Sequence, residues 1–230
     1  MTKLETVGIM CQNCRKPFKT QKVISTNEFG GKRTDFHAHA AGPQPLIHQV
    51  YTCTHCGYST MPREDGDYNT TLKESTSWKI KEEITPLLTV NKKTGETNPI
   101  PGSLKYEWAA KILEWESSGI EGDDIRKIAD MYLRASWCCV DEKDTEAERY
   151  FRLKAAHAFD VALETYGEVE PEERAILTYL VGELYRRAGH VVVAQTWFDQ
   201  VKQEVTDPKA QEWVVAAAEQ QRTSPREWFG

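Results

Sequence analysis

The chain has 230 residues, 40% of them hydrophobic and 28% charged, with a net charge of −6 and a mean hydropathy of −0.60. These values suit one compact unit or two small domains, and they exclude a disordered tail, a low-complexity chain and a large multidomain machine. Apolar stretches such as 175–182 fall well short of the roughly 18 residues of a membrane span, and Met1-Thr-Lys-Leu-Glu-Thr opens without a signal-peptide core, so a cytoplasmic protein with no membrane partner is expected.

Charge is uneven along the chain. Residues 1–62 carry seven Lys and Arg (Lys3, Arg15, Lys16, Lys19, Lys22, Lys32, Arg33) against Glu5, Glu28 and Asp35, a balance of +4 that leaves −10 for the remainder. Lysine and arginine clusters attract phosphates, but four zinc-bound thiolates would lower this front to about +2.

The first motif is Cys11-Gln-Asn-Cys14, answered by Cys53-Thr-His-Cys56. In a reducing compartment two Cys-x-x-Cys pairs fit a tetrahedral four-thiolate metal centre better than structural disulfides. Each pair forms a tight knuckle. Gly57 follows the second pair, where a positive φ is needed, and Arg15 stands at the same place after the first. The assigned metal ligands are therefore Cys11, Cys14, Cys53 and Cys56, with structural zinc as the cofactor and a rubredoxin-like iron centre as the lesser alternative. A thioredoxin-like role lacks the β-α-β setting it needs. Residues 1–62 hold few large apolar side chains, and structural zinc can supply the deficit with roughly 10–16 kcal/mol of binding free energy.

Between the knuckles, alternation over Phe18–Ile24 and Leu46–Thr52 predicts short strands in a β-ribbon. The polar insert at 34–43 carries His37-Ala-His39, with His48 and His55 nearby. These read as surface or loop-anchoring histidines, the alternative being a second metal site or the replacement of one cysteine ligand. Pro62–Asp67 is a polar break, and 91–102 is a turn-rich boundary; Trp78, Ile80, Ile84, Leu87 and Leu88 between them imply packing against another element.

From Ser103 the period becomes helical. Expected helices run from an N-cap at Ser103 over 104–118, from Asp123 to about Cys138, and from Asp144 or Thr145 to Tyr166. Three more follow, one starting at Pro171, the next set off by Gly189, and the last opened by Asp207-Pro208. Gly182, Tyr185, Gly189, Ala194 and Phe198 follow the spacing of a tetratricopeptide repeat, and Ala129, Tyr132, Ala155 and Phe159 suggest a degenerate earlier copy; an ordinary helical bundle is the alternative. Trp108, Trp115, Trp137, Trp197 and Trp213 read as core fillers, Cys138 and Cys139 as buried or partly buried thiols, and Glu168 to Glu173 as acids at a helix start. The tail at 224–230 ends in Trp228-Phe229-Gly230 and can dock on the chain or on a partner. No Ser/His/Asp order, His-Glu-x-x-His or phosphate loop occurs, so no catalytic and no organic-cofactor residue is assigned.

The two knuckles, the second written Pro45-Leu-Ile-His-Gln-Val-Tyr-Thr-Cys-Thr-His-Cys-Gly-Tyr58, followed by repeat-like helices, resemble over most of the chain the prokaryotic family known as domain of unknown function 2225. The resemblance implies a zinc-binding front and a tetratricopeptide-like back, and it brings no activity or catalytic residue.

The fold class expected is α+β, a small N-terminal zinc-ribbon-like β lobe (1–62), a connector (63–102), an all-α tetratricopeptide-like helical-repeat domain (103–222) and a tail (223–230). The function expected is a non-enzymatic zinc-binding adaptor whose helical surface binds a protein or peptide. The alternative is nucleic-acid or ribosome association through Lys16, Lys19, Lys22, Lys32 and Arg33, and iron-based electron transfer comes third.

Overall fold

In the computed structural model, which describes residues 1–62, 71–117, 122–165, 167 and 169–229, the chain begins as an antiparallel hairpin. Strands β1 (Lys3–Met10) and β2 (Pro17–Ser25) pair with Met10 opposite Pro17 and Ile9 opposite Phe18. The first knuckle is the turn of this hairpin. Phe18 at that end is buried, whereas Leu4 and Ile24 farther out are exposed, so the ribbon projects from the body and is anchored at its knuckle. The second knuckle is likewise a hairpin turn, between the short strands β3 (Tyr51–Thr52) and β4 (Ser59–Thr60).

The strand expected over Leu46–Thr52 is shorter than its pattern implies. Pro45 opens a 3-10 turn at Leu46–His48, and only Tyr51 and Thr52 enter a ladder. Leu46 and Val50 are both buried four residues apart, a helical spacing, and the Tyr106 hydroxyl donates to the Leu46 carbonyl at 2.9 Å. Burial against the helices thus overrides the local β pattern.

The middle segment folds as α1 (Glu74–Lys79), a π-turn at Ile80–Ile84 and a 3-10 turn at Thr85–Leu87. Ile80 and Ile84 bury against the knuckles with Trp108 and Ile112, which meets the expectation of packing, while Trp78 and Leu87 face solvent. The polar break at 63–67, the expected helix ends at Ser118 and Tyr166, Glu168 and Gly230 lie outside the described residues.

Six further helices follow: α2 (Gly102–Glu116), α3 (Gly122–Glu142), α4 (Thr145–Glu164), α5 (Pro171–Arg187), α6 (Val191–Gln200) and α7 (Glu212–Thr223). Asp144 caps α4 by accepting from the Ala147 amide at 3.0 Å, and Pro171 occupies the first turn of α5, where its missing N–H costs nothing. Two expected starts move. Ser103 lies inside α2, with its amide and hydroxyl donating to Glu142 at the end of α3. Asp207 closes a separate turn through the Lys209 and Ala210 amides, and α7 starts later, because Gln211 accepts from the Thr206 and Asp207 amides and donates to the Glu172 carbonyl.

The α3–α4 and α5–α6 pairs pack as neighbours in chain order. Ala129, Tyr132, Ala155 and Phe159 meet in the central core, while Ala194 and Phe198 of α6 pack with Ala175 and Tyr179 of α5. A Cβ on Gly182 would come within 2.8 Å of the Phe198 ring, so the absence of a side chain there sets the approach of α5 and α6. Trp108 is buried, but Trp213 is exposed at the edge of Phe36, a correction to its reading as core. Cys138 and Cys139 are buried, where loss of solvation pushes both thiols up.

Residues 32–50 run along the helices. The Tyr179 hydroxyl donates to the Thr34 carbonyl at 2.9 Å, and Phe36 packs between the central core and the α5–α7 cluster. The tail returns to this segment: the Phe229 amide donates to the Lys32 carbonyl, and the Phe229 ring stacks on Phe36 at 5.8 Å. Among the described residues no helix is long and apolar enough to cross a membrane.

Candidate metal centre

The two knuckles are built alike. In the first, the Cys11 amide donates to the Lys16 carbonyl and the Arg15 amide to the Cys11 carbonyl; in the second, Cys53 donates to Tyr58 and Gly57 to Cys53. Arg15 and Gly57 are equivalent residues, with φ of 57° and 78°. A Cβ on Gly57 would also lie 2.4 Å from the Ile84 side chain, so this position needs glycine for space as well as backbone conformation.

The geometry brings all four sulfurs into one cluster. Cys11 Sγ lies 3.7 Å from Cys56 Sγ, and Cys14 Sγ lies 3.7 Å from Cys53 Sγ. No disulfide has this spacing. Four sulfurs each about 2.3 Å from a tetrahedral ion would stand about 3.8 Å apart, so the donor set fits a metal ion held between the knuckles. Cys11, Cys53 and Cys56 are buried, and Cys14 is partly covered.

Sulfurs crowded in this way share their protons unequally. Hydrogen bonds from Cys11 and Cys53, with a further one from the Asn13 side-chain Nδ2 at 3.5 Å, favour the Cys56 thiolate, whereas Cys53 is pushed up by its hydrogen bonds to Cys11 and Cys56 and by burial. The His55 and Cys14 amides donate to Cys53 Sγ and Cys11 Sγ at 3.4 and 3.5 Å, a pattern that stabilises thiolate charge. Residue type alone does not mark Asn13; its place inside the first knuckle brings its side chain to Cys56.

The histidines divide. His55 is exposed and its Nε2 lies 3.0 Å from the Pro17 carbonyl, away from the sulfur cluster. His48 is half-buried on the 3-10 turn. His37 has only 2% of its surface exposed, so of the two expected roles it anchors its loop and does not lie on the surface. Its ring stacks on Trp137 at 5.1 Å and lies 4.0 Å from the His39 ring, and the donor atoms of His37, His39 and Asp141 lie within 4.8 Å of one another. Burial, then the proximity of His39, pushes the His37 imidazole down to about 3, so it is neutral near pH 7. Asp141 is the member of this group that sequence inspection missed, because it comes from the far end of α3.

The basic set is dispersed. Lys16, Lys19, Lys22 and Lys32 are exposed, but Lys19 and Lys22 fall on opposite faces of β2 by strand alternation. Arg33 pairs with Glu227 at 3.2 Å and lies over the Trp228 ring. No curated protein and no solved structure matches this chain. A family model does, over residues 5–224, which include both knuckles and every described helix, and the chain therefore belongs to the family described as an uncharacterized protein conserved in bacteria, domain of unknown function 2225.

Proposed function

We propose that the four cysteines hold a structural zinc ion and that the helices form a tetratricopeptide-like scaffold that binds a peptide segment of a partner protein. Four thiolates complete the coordination shell of zinc and leave no open position for a substrate, which favours a structural role for this ion. It joins two hairpin turns that bring few apolar side chains of their own and that dock on Ile80, Ile84 and Trp108. The reading carries with it a reducing compartment, in which the thiols stay available to metal.

The observation that carries the binding role is a groove of about 700 Å³ across α3, α4 and α5. Leu133, Phe159, Leu177 and Leu180 supply apolar walls, and Lys127, Asp130 and Glu170 supply charges at the same opening. Apolar surface with a few charged groups suits a short peptide with apolar anchors, and neighbouring helix pairs present such surfaces in helical-repeat proteins.

Peptide-display selection against the zinc-loaded full chain, followed by titration of the selected peptides, tests this reading. Lys127→Glu combined with Glu170→Lys should weaken binding at least about tenfold, while Lys19→Glu with Lys22→Glu should leave it unchanged. Failure to select any peptide, combined with RNA or DNA binding that falls steeply with salt and with the β2 lysine reversals, would replace it with the nucleic-acid reading. The purified protein should be colourless with near-stoichiometric zinc. A red iron protein would make electron transfer the leading role.

A further inference from the structure

We infer that His37, His39 and Asp141 form a second metal site, separate from the four cysteines, which takes a divalent first-row metal ion of the iron, cobalt, nickel or zinc type and completes its shell with water. The local backbone explains why the two rings act together. Residues 30–39 form a small hairpin in which the Gly30 amide donates to the His39 carbonyl at 2.9 Å, the His39 amide to Gly31 at 2.8 Å and the Arg33 amide to His37 at 2.8 Å. Residues two apart on an extended strand share a face, so His37 and His39 project together. A Cβ on Gly30 would stand 2.8 Å from the His39 carbonyl oxygen, so this glycine admits the close pairing that places His39.

Asp141 reaches the same point from the last turn of α3, the helix end whose exposed carbonyls favour a cation. The independent observation is a pair of orphaned donor atoms. His37 Nδ1 and His39 Nε2 are both buried, and neither has a hydrogen-bond partner. Buried ring nitrogens are nearly always satisfied, and an ion held by this group would satisfy a nitrogen that faces it. Trp137 stacks on His37, and Trp228 of the tail lies 5.1 Å from the His39 ring, so the imidazoles are held from both sides. Arg33, whose charge reaches His39, is neutralised by Asp35 at 4.0 Å and Glu227 at 3.2 Å.

The donor set selects the class of ion. Two imidazoles and one carboxylate with open positions suit divalent iron, cobalt, nickel or zinc, whereas magnesium and calcium prefer all-oxygen shells and copper(I) prefers sulfur. Three protein donors leave room for water, which distinguishes this site from the closed four-thiolate centre.

Cobalt(II) titration of the full chain separates the two sites by spectrum. Cobalt at the cysteines gives intense thiolate charge-transfer bands, and cobalt at the histidines adds only weak visible bands. The wild-type chain is expected to bind a second equivalent of the weak-band kind. His39→Ala and Asp141→Asn should each weaken that equivalent at least about tenfold, while His48→Ala should not; Asp141 is exposed, so its isosteric replacement leaves the fold intact. A wild-type chain that shows no weak-band cobalt, or a second equivalent with unchanged affinity in either ligand variant, would overturn the inference.

Discussion

Asp35 and Arg152 form an ion pair of 2.8 Å in which neither side chain has any exposed surface, and it ties the N-terminal segment to the middle of α4. Arg152 also meets Glu148 at 2.9 Å, and Arg187 lies 3.9 Å from Asp35. The surrounding cluster extends through Glu183, which is buried and accepts from Arg186, Arg187 and the Thr34 hydroxyl. Charges removed from water this completely are tolerated only as a neutralised, hydrogen-bonded set. Asp35→Asn should therefore cost roughly 3 kcal/mol by removing the fully buried partner of Arg152 and leaving it Glu148 alone. Replacing both partners, as in Asp35→Leu with Arg152→Met, should recover part of that loss. Urea unfolding of the single and double variants measures it, and single-variant losses below about 1 kcal/mol would contradict the role given to the pair.

Loss of the metal should be felt locally first. Cys53→Ser or chelation should release the ion, unfold the two knuckles and loosen Ile80 and Ile84, while most helical signal remains, since α3 to α6 have their own core. Zinc content and far-ultraviolet circular dichroism check this outcome. Full metal content and normal folding in Cys53→Ser would remove the basis for the site.

The equivalent positions Arg15 and Gly57 make opposite predictions. Arg15→Gly removes the cost of a left-handed conformation at an exposed position and should stabilise the first knuckle by roughly 0.5–1 kcal/mol. Gly57→Ala should destabilise the second knuckle, because it adds conformational strain to a 2.4 Å clash with Ile84. Thermal melting with zinc present should show the two shifts with opposite signs.

Acid should release the tail. Glu227 pairs with Arg33, Arg186 and Arg187; burial alone would raise its pKa, but these arginines, Arg187 foremost, bring it below the usual carboxylate range. A depressed folded-state pKa contributes stability above the unfolded value of about 4.3, and that contribution is lost as pH falls through the folded value. Hydrogen exchange at the Thr34 and Phe229 amides, which bond to the Glu227 and Lys32 carbonyls, should accelerate below about pH 4 beyond the intrinsic change. In Glu227→Gln that acid step should be absent.

Local chemistry and helical punctuation are written in the residues themselves. Cys-x-x-Cys spacing specifies a knuckle because both sulfurs come from one turn, and Asp144, Pro171 and Gly189 mark helix boundaries through a cap, a fixed φ and a positive φ of 90°. The α+β order and the meeting of four sulfurs were legible for that reason. The tertiary structure alone decided where long-range partners fall: that Leu46 and Val50 turn into the helical core, that Asp35 finds Arg152, that the tail stacks on Phe36, and that Asp141 arrives beside His37 and His39. No local periodicity encodes these pairings. They arise when packed helices bring distant segments together, and buried charges and ring nitrogens must then find partners that only the assembled fold supplies.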